Sequence, residues 1–230
     1  MTAEQKPDYL GHRKRLRERF ILSEGRDMPD YELLELLLTI AIPRRDVKPI
    51  AKRLIKTFGS FADVINASSE NLQQIEGIKE TSAIILKIVK AAALRMSWQN
   101  LSSTDAPVIS TWDTMVDYCR SSMGYLDVEE FHIIFLNSKL QVIGEEVQQR
   151  GTINQVAIHP REVIGAAINK GATAIIIAHN HPSGDVTPSK DDLLITRQIY
   201  EAAKLVNIQL IDHLIISKNL VYGFKDHGAF

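Results

Sequence analysis

The sequence predicts a small all-α domain followed by an α/β (α+β) domain. Three observations carry this expectation. Residues 1–100 show apolar residues only at helical spacing, with no strand-like alternation. Residues 101–230 switch to short apolar runs separated by helical segments. Charge changes with pattern: the first hundred residues hold 17 Lys and Arg against 13 Asp and Glu, the remainder 10 against 15. His12 is alone in the first part, whereas His132, His159, His179, His181, His213 and His227 fall in the second.

Composition narrows the class. Of the 230 residues, 45% are hydrophobic and 24% charged, which suits a soluble globular chain and excludes wholesale disorder. No apolar run approaches the ~20 residues of a membrane-spanning helix, so no membrane partner is expected. The polar, then basic start lacks a signal-peptide core. A single cysteine, Cys119, excludes an internal disulfide and leaves almost no room for a Cys-based zinc site; it is expected in the core on a helix. Together these features predict a cytoplasmic protein.

Taken in order, residues 13–22 form a short basic helix, and 31–40 a Leu-rich one capped by Asp30. Residues 47–58 carry Ile50, Ala51, Leu54, Ile55 and Phe58 on one face and stop at Gly59. A short helix follows at 61–66, and Ser68 or Ser69 caps the next. Residues 79–96 form a long helix with Ile84, Ile85, Ile88, Val89 and Ala92 along one side. The polar, aperiodic stretch 97–107 reads as the connection, giving domains 1–100 and 108–230 with a linker at 101–107. Beyond it, Ser110 caps a helix reaching about Met123. Strands are expected at 131–137, 140–147 and 152–158, the first two joined by a Ser138–Lys139 turn. Pro160 opens a helix over 161–169 that ends at Gly171. Residues 174–178 (AIIIA) read as a strand buried on both faces. Pro188 precedes a helix to about Val206, and strands at 208–217 and 220–224 finish the chain.

The chemistry concentrates between Ala178 and Asp192. In extended chain, residues i and i+2 point the same way, so His179 and His181 share a side while Asn180 turns away. They follow a buried strand, where open α/β sheets place their ligand sites. Ser189 and Asp192 lie three apart on the next helix and share a face. Two imidazoles and one carboxylate leave a tetrahedral position for water, the pattern of a catalytic zinc site. Zinc there would acidify that water to a pKa of ~7 and polarise a carbonyl. Pro182, Ser183, Gly184 and Pro188 tighten the loop between the ligands. Asp191 rivals Asp192 on helical position alone. Asp212 and His213, in an otherwise apolar strand, must be paired or hydrogen-bonded, either as a structural pair or beside the metal. His159 is placed at a helix entrance, and His132 and His227 are read as bystanders.

The string His179-Asn-His181-Pro-Ser-Gly with Ser189 and Asp192 has the His-x-His-x7-Ser-x2-Asp form of JAMM (MPN+) metalloproteases. The longer run GTINQVAIHPREVIGAAINKGATAIIIAHNHPSGDVTPSKDD, with IDHLIIS, resembles the RadC family; ELLELLLTIAIPRRDVKPIAKRLIKTFGSF resembles that family's helical N-terminal domain. The resemblance implies a JAB/MPN, cytidine-deaminase-like mixed sheet flanked by helices. It implies Zn(2+) held by His179, His181 and Asp192, with Ser189 stabilising an oxyanion. It also implies a glutamate as general base, for which Glu145 and Glu146 are the candidates. They point to opposite strand faces, so at most one can serve; Glu146 takes the assignment here, against the reading that both are solvent charges. The substrate class implied is a peptide or isopeptide bond of a protein.

Residues 72–83 resemble a helix-hairpin-helix element, in which backbone N–H groups meet a DNA phosphate. Lys79 stands where a second glycine is usual, which leaves a helix-packing role equally open. The basic run Arg13, Lys14, Arg15, Arg17 and Arg19 is either a weak, non-specific DNA contact or a solvated helix face. The alternative function is a DNA-repair accessory protein with a structural or vestigial metal. A nuclease fits poorly with an acidic second domain, and a nucleobase deaminase lacks its H-x-E and P-C-x-x-C elements.

Overall fold

A computed structural model of the chain describes residues 8–103, 106–151, 158–228 and 230. The expected strand at 152–158 falls almost wholly outside them. The chain divides into two compact units, Met1–Ala93 and Leu94–Phe230. No helix among the described residues is long and apolar enough to cross a membrane.

The first unit is helical: α1 Asp8–Ser23, α2 Asp30–Ala41, α3 Lys48–Phe58, α4 Phe61–Asn66, α5 Ser69–Gln73 and the start of α6 Glu80–Ser102. Its core holds Leu34 and Leu38 of α2, Ile50, Ala51 and Leu54 of α3, Val64, Leu72 and Leu86. Ser60 and Ser68 cap α4 and α5, each accepting a backbone N–H at 3.1 Å. Asp30 does not cap its own helix. It is the first helical residue of α2, and its carboxylate accepts the Phe61 N–H at the start of α4, where the helix dipole favours an anion. The turn into α6 needs Gly77, at φ +97°, where a Cβ would lie 2.7 Å from Ile50 Cδ1.

Two expectations for α6 are corrected. Ala83 and Leu86 meet the core, while Ile84 and Ile88 are exposed. The helix is apolar around much of its girth, so periodicity could not say which edge the turn at Gly77 would turn inward. The helix also continues past Met96 to Ser102, through the polar stretch read as aperiodic. No Gly or Pro interrupts it, the Trp98 ring packs at a tilt on Tyr118 with centroids 5.2 Å apart, and Leu101 is buried.

The second unit contains α7 Trp112–Met123, β1 Glu129–Leu136, β2 Val142–Gly151, α8 Pro160–Asn169, β3 Ala174–Asn180, α9 Lys190–Leu205, β4 Gln209–Ile216 and β5 Val221–Gly223. Ser110 sits in a 3-10 turn before α7 rather than capping it, its hydroxyl donating to Pro107 O. The sheet runs β2-β1-β3-β4-β5, with β3 and β4 parallel and the other pairs antiparallel. This is the mixed α+β sheet flanked by helices that the sequence predicted.

Its two faces have separate cores. Ile134, Leu136, Ile176 and Ala178 pack with Met115, Cys119 and Met123 of α7. Phe131, Ile133, Ile175 and Ile177 pack with Val163 of α8 and with Ile199 and Ala203 of α9. A bulge interrupts the β3–β4 ladder: Ile175 faces Leu210, but the next rung pairs Ile176 with Asp212. The extra residue brings His213 opposite Ile177 and onto the α9 face.

On the α7 face, His132 is not a bystander. Its Nε2 lies 3.1 Å from Glu130 and its Nδ1 2.7 Å from Glu145, and the Tyr118 hydroxyl donates to the same Glu145. Burial opposes a charge on His132, but the two carboxylates outweigh it and raise its pKa. A raised folded-state pKa stabilises fully below the ordinary value of about 6.5, and the stabilisation fades as pH climbs through the folded value. The expected outcome is that wild type exceeds His132→Gln in urea-unfolding free energy by more at about pH 6 than at about pH 9. A gap independent of pH would show that the imidazole is not charged there.

Candidate metal centre

β3 is buried on both faces throughout, and it delivers His179 at its carboxyl end on the α9 side. Asn180 points to the opposite side, where its amide donates to Val128 O at 3.0 Å and its carbonyl accepts the Glu130 N–H at 2.8 Å. His181 leaves the sheet and turns back beside His179, their Nε2 atoms 3.1 Å apart. Asp192 comes from the first turn of α9. Its Oδ1 lies 3.3 Å from His179 Nε2 and its Oδ2 3.6 Å from His181 Nε2. The three residues expected to hold a metal therefore meet, with ligand atoms within 4.8 Å of one another. Asp191, the rival, is exposed.

Each ligand is held by a local device. Ser189 is the N-cap of α9 and forms a capping box with Asp192: the Ser189 N–H donates to Asp192 Oδ2 at 2.7 Å, and the Asp192 N–H to Ser189 Oγ at 3.1 Å. That use of Oγ as acceptor leaves its hydroxyl proton uncommitted. In the loop, Gly184 adopts φ +87°, and the Thr187 N–H and hydroxyl both donate to Asp185 Oδ1. The loop so formed turns the Asp185 carbonyl to His181 Nδ1, 2.7 Å away.

Proton counting then defines the centre. A carbonyl only accepts, so His181 Nδ1 carries its proton and its Nε2 is bare in the neutral ring. His179 Nδ1 lies 2.8 Å from Nε2 of the buried His213. Burial resists ionisation of Asp192, but His179, His181 and Ser189 together hold its carboxyl well below the usual range. The hydrogen bond to Asp192 raises His181 against the opposing effect of burial. A proton on Nε2 can bond the Asp192 carboxylate in the metal-free protein, and a divalent ion in its place would take the two Nε2 lone pairs and the carboxylate oxygens, which lie 3.1 to 3.6 Å apart. The donor set therefore fits a divalent ion.

The glutamates fall differently from expectation. Glu145 faces α7 and is held by Tyr118 and His132. Glu146 pairs with Ile133, which packs on the His179 side of the sheet, but it accepts from Gln148 Nε2 at 2.7 Å and is not brought into the cluster. Glu129 is the carboxylate that sequence reading missed. It opens β1, is half-buried, and places Oε1 4.0 Å from His179 Nε2. Beginning that strand at Phe131 hid it; two residues earlier, alternation alone puts Glu129 on the face of Phe131, which pairs with His179.

The remaining candidates resolve as follows. Asp212 and His213 separate in role: Asp212 accepts the N–H groups of His213 and Lys225, while the His213 ring stacks on Phe224 behind His179. His159 precedes α8, Cys119 is buried, and His227 Nδ1 donates to Gly223 O. In the basic run, Arg13 donates to the Ile42, Pro43 and Arg45 carbonyls, and Arg19 meets Glu32 at 2.7 Å. These two charges tie α1 to neighbouring segments of the helical unit.

Residues 109–229 match the model of the RadC-like JAB domain, and residues 9–84 match that of the UPF0758 N-terminal region. A UPF0758 protein of Ruegeria pomeroyi is 44% identical over 223 residues, covering 96% of this chain and 99% of that protein. A UPF0758 protein of Rhodobacter capsulatus is 44% identical over 213 residues, covering 93% and 99% respectively.

The geometry predicts about one divalent ion per chain, as for other sites with three protein ligands. Elemental analysis after dialysis is expected to find it in wild type and to find it lost in His179→Ala and Asp192→Ala. Asp191→Ala should retain it. Equal metal content in all four proteins would remove the site.

Proposed function

The chain belongs to the family of RadC-like JAB-domain proteins, and on that premise we propose that it is a zinc metallohydrolase that cleaves a peptide or isopeptide bond. The observation that carries the reading is the convergence of the His179 and His181 Nε2 atoms with the Asp192 carboxylate at the open end of β3. Two nitrogens and one carboxylate suit zinc and leave a coordination position open to solvent. When bound, zinc supplies a Lewis acid for a carbonyl and lowers the pKa of water to ~7.

The protein's own groups account for the rest. Glu129 replaces Glu146 as general base, because it is the carboxylate beside the cluster that no ligand position uses. It takes the proton released as water attacks the scissile carbonyl and passes it to the leaving amine. The Ser189 hydroxyl, fixed at the α9 N-cap, donates to the oxygen that gains charge. Asn180 holds the Glu130 N–H and so fixes the strand start that carries Glu129.

The test is a panel of peptide and isopeptide substrates assayed with zinc-loaded protein. Glu129→Gln should keep its metal and lose about 10²–10⁴ in rate, while Glu146→Gln stays within a few-fold of wild type. The reverse pattern would return the base to Glu146. Metal-loaded wild type that cleaves nothing in the panel would favour the accessory reading.

A further inference from the structure

Behind His179, on the side away from Asp192, lies His213, fully buried between the face of Phe224 at 4.4 Å and the edge of Phe131 at 6.0 Å. Neither of its nitrogens bonds a carboxylate. Its Nδ1 meets the hydroxyl of Thr196, and its Nε2 meets His179 Nδ1. The Thr196 hydroxyl also touches the backbone carbonyl of Asp192, one helical turn earlier on α9.

These contacts allow one arrangement of protons. The Asp192 carbonyl only accepts, so the Thr196 hydroxyl donates to it. A hydroxyl has one proton, so toward His213 it accepts, and His213 Nδ1 carries the hydrogen. A neutral imidazole has one N–H, which leaves His213 Nε2 to accept from His179 Nδ1. In the neutral ring, His179 Nε2 is then bare and turned toward the Asp192 carboxylate.

We propose that Thr196 and His213 are positioning residues that fix the tautomer and ring orientation of His179 before metal arrives and tie it to the turn bearing Asp192. The chain of hydrogen bonds links α9, β4 and β3, and thereby two of the three ligands. Such outer partners of ligating histidines typically govern metal affinity by 10–100-fold. The bulge in β4 is what brings the His213 ring to this face. The inference rests on the metal reading of His179, His181 and Asp192, and the experiment keeps the two apart.

Zinc affinity of the full chain is measured by competition with a chromophoric chelator for wild type, Thr196→Val and Thr196→Ser. The valine variant keeps the shape and loses the hydroxyl; it should bind about 10–100-fold more weakly, and serine should restore affinity to within a few-fold. In parallel, long-range proton–nitrogen spectra of the metal-free wild type report the imidazole tautomers, with both His179 and His213 expected to carry hydrogen on Nδ1. Valine-variant affinity equal to wild type, or no hydrogen on Nδ1 of His179, overturns the proposal. Wild type that takes up no zinc overturns the metal reading instead, and the tautomers of the metal-free protein still decide whether the relay exists.

Discussion

A neutral imidazole has a single proton to give, and the second unit is organised around where two such protons go. His181 gives its own to the Asp185 carbonyl, and His179 faces the nitrogen of His213. The remaining nitrogens look at an ionised carboxylate, an arrangement that is unfavourable without a proton or a metal ion between them. Rigid surroundings must hold it. β3 has no exposed residue, α9 begins with a reciprocal cap, and the loop between them is closed on itself by Asp185 and Thr187. Metal binding can then draw on geometry already in place.

The sheet's two faces divide the labour. One carries the ligands together with α8 and α9; the other carries a buried His132–Glu145–Tyr118 network against α7. Asn180 stands between two ligands yet reaches through to that second face, where it grips the backbone of Glu130. The strand starting with Glu129 is thus anchored from behind. The Glu129 carboxylate, 4.0 Å from His179 Nε2, thereby keeps its place at the mouth of the site.

Much of this was legible in the sequence. The His-x-His pair follows from strand parity, the choice of Asp192 over Asp191 from the spacing of the metalloprotease motif that the chain resembles, and the order of helices and strands from periodicity. What stayed hidden depends on three-dimensional phase. The i, i+4 rhythm of α6 named an apolar stripe at Ile84 and Ile88 that faces outward, because Gly77 sets the rotation of that helix. Glu129 and Glu146 look alike on paper; only the pairing of Phe131 with His179 makes one a neighbour of the cluster and the other remote. His132 looked idle because one partner, Glu130, lies two residues away on its own strand and the other, Glu145, thirteen residues away on the paired strand.

The irregular rung in β4 has a consequence for how such chains can diverge. With strict alternation from Leu210, Asp212 would occupy the rung opposite Ile177 and His213 the next. Straightening the ladder at constant length would thus swing the imidazole through the sheet to the α7 side, whereas removing one residue at 211 or 212 would only erase the bulge and leave the imidazole opposite Ile177. In homologous chains the length between Leu210 and His213 and the regularity of the ladder must therefore change together: a chain one residue shorter keeps the ring on its ligand only by pairing without the bulge.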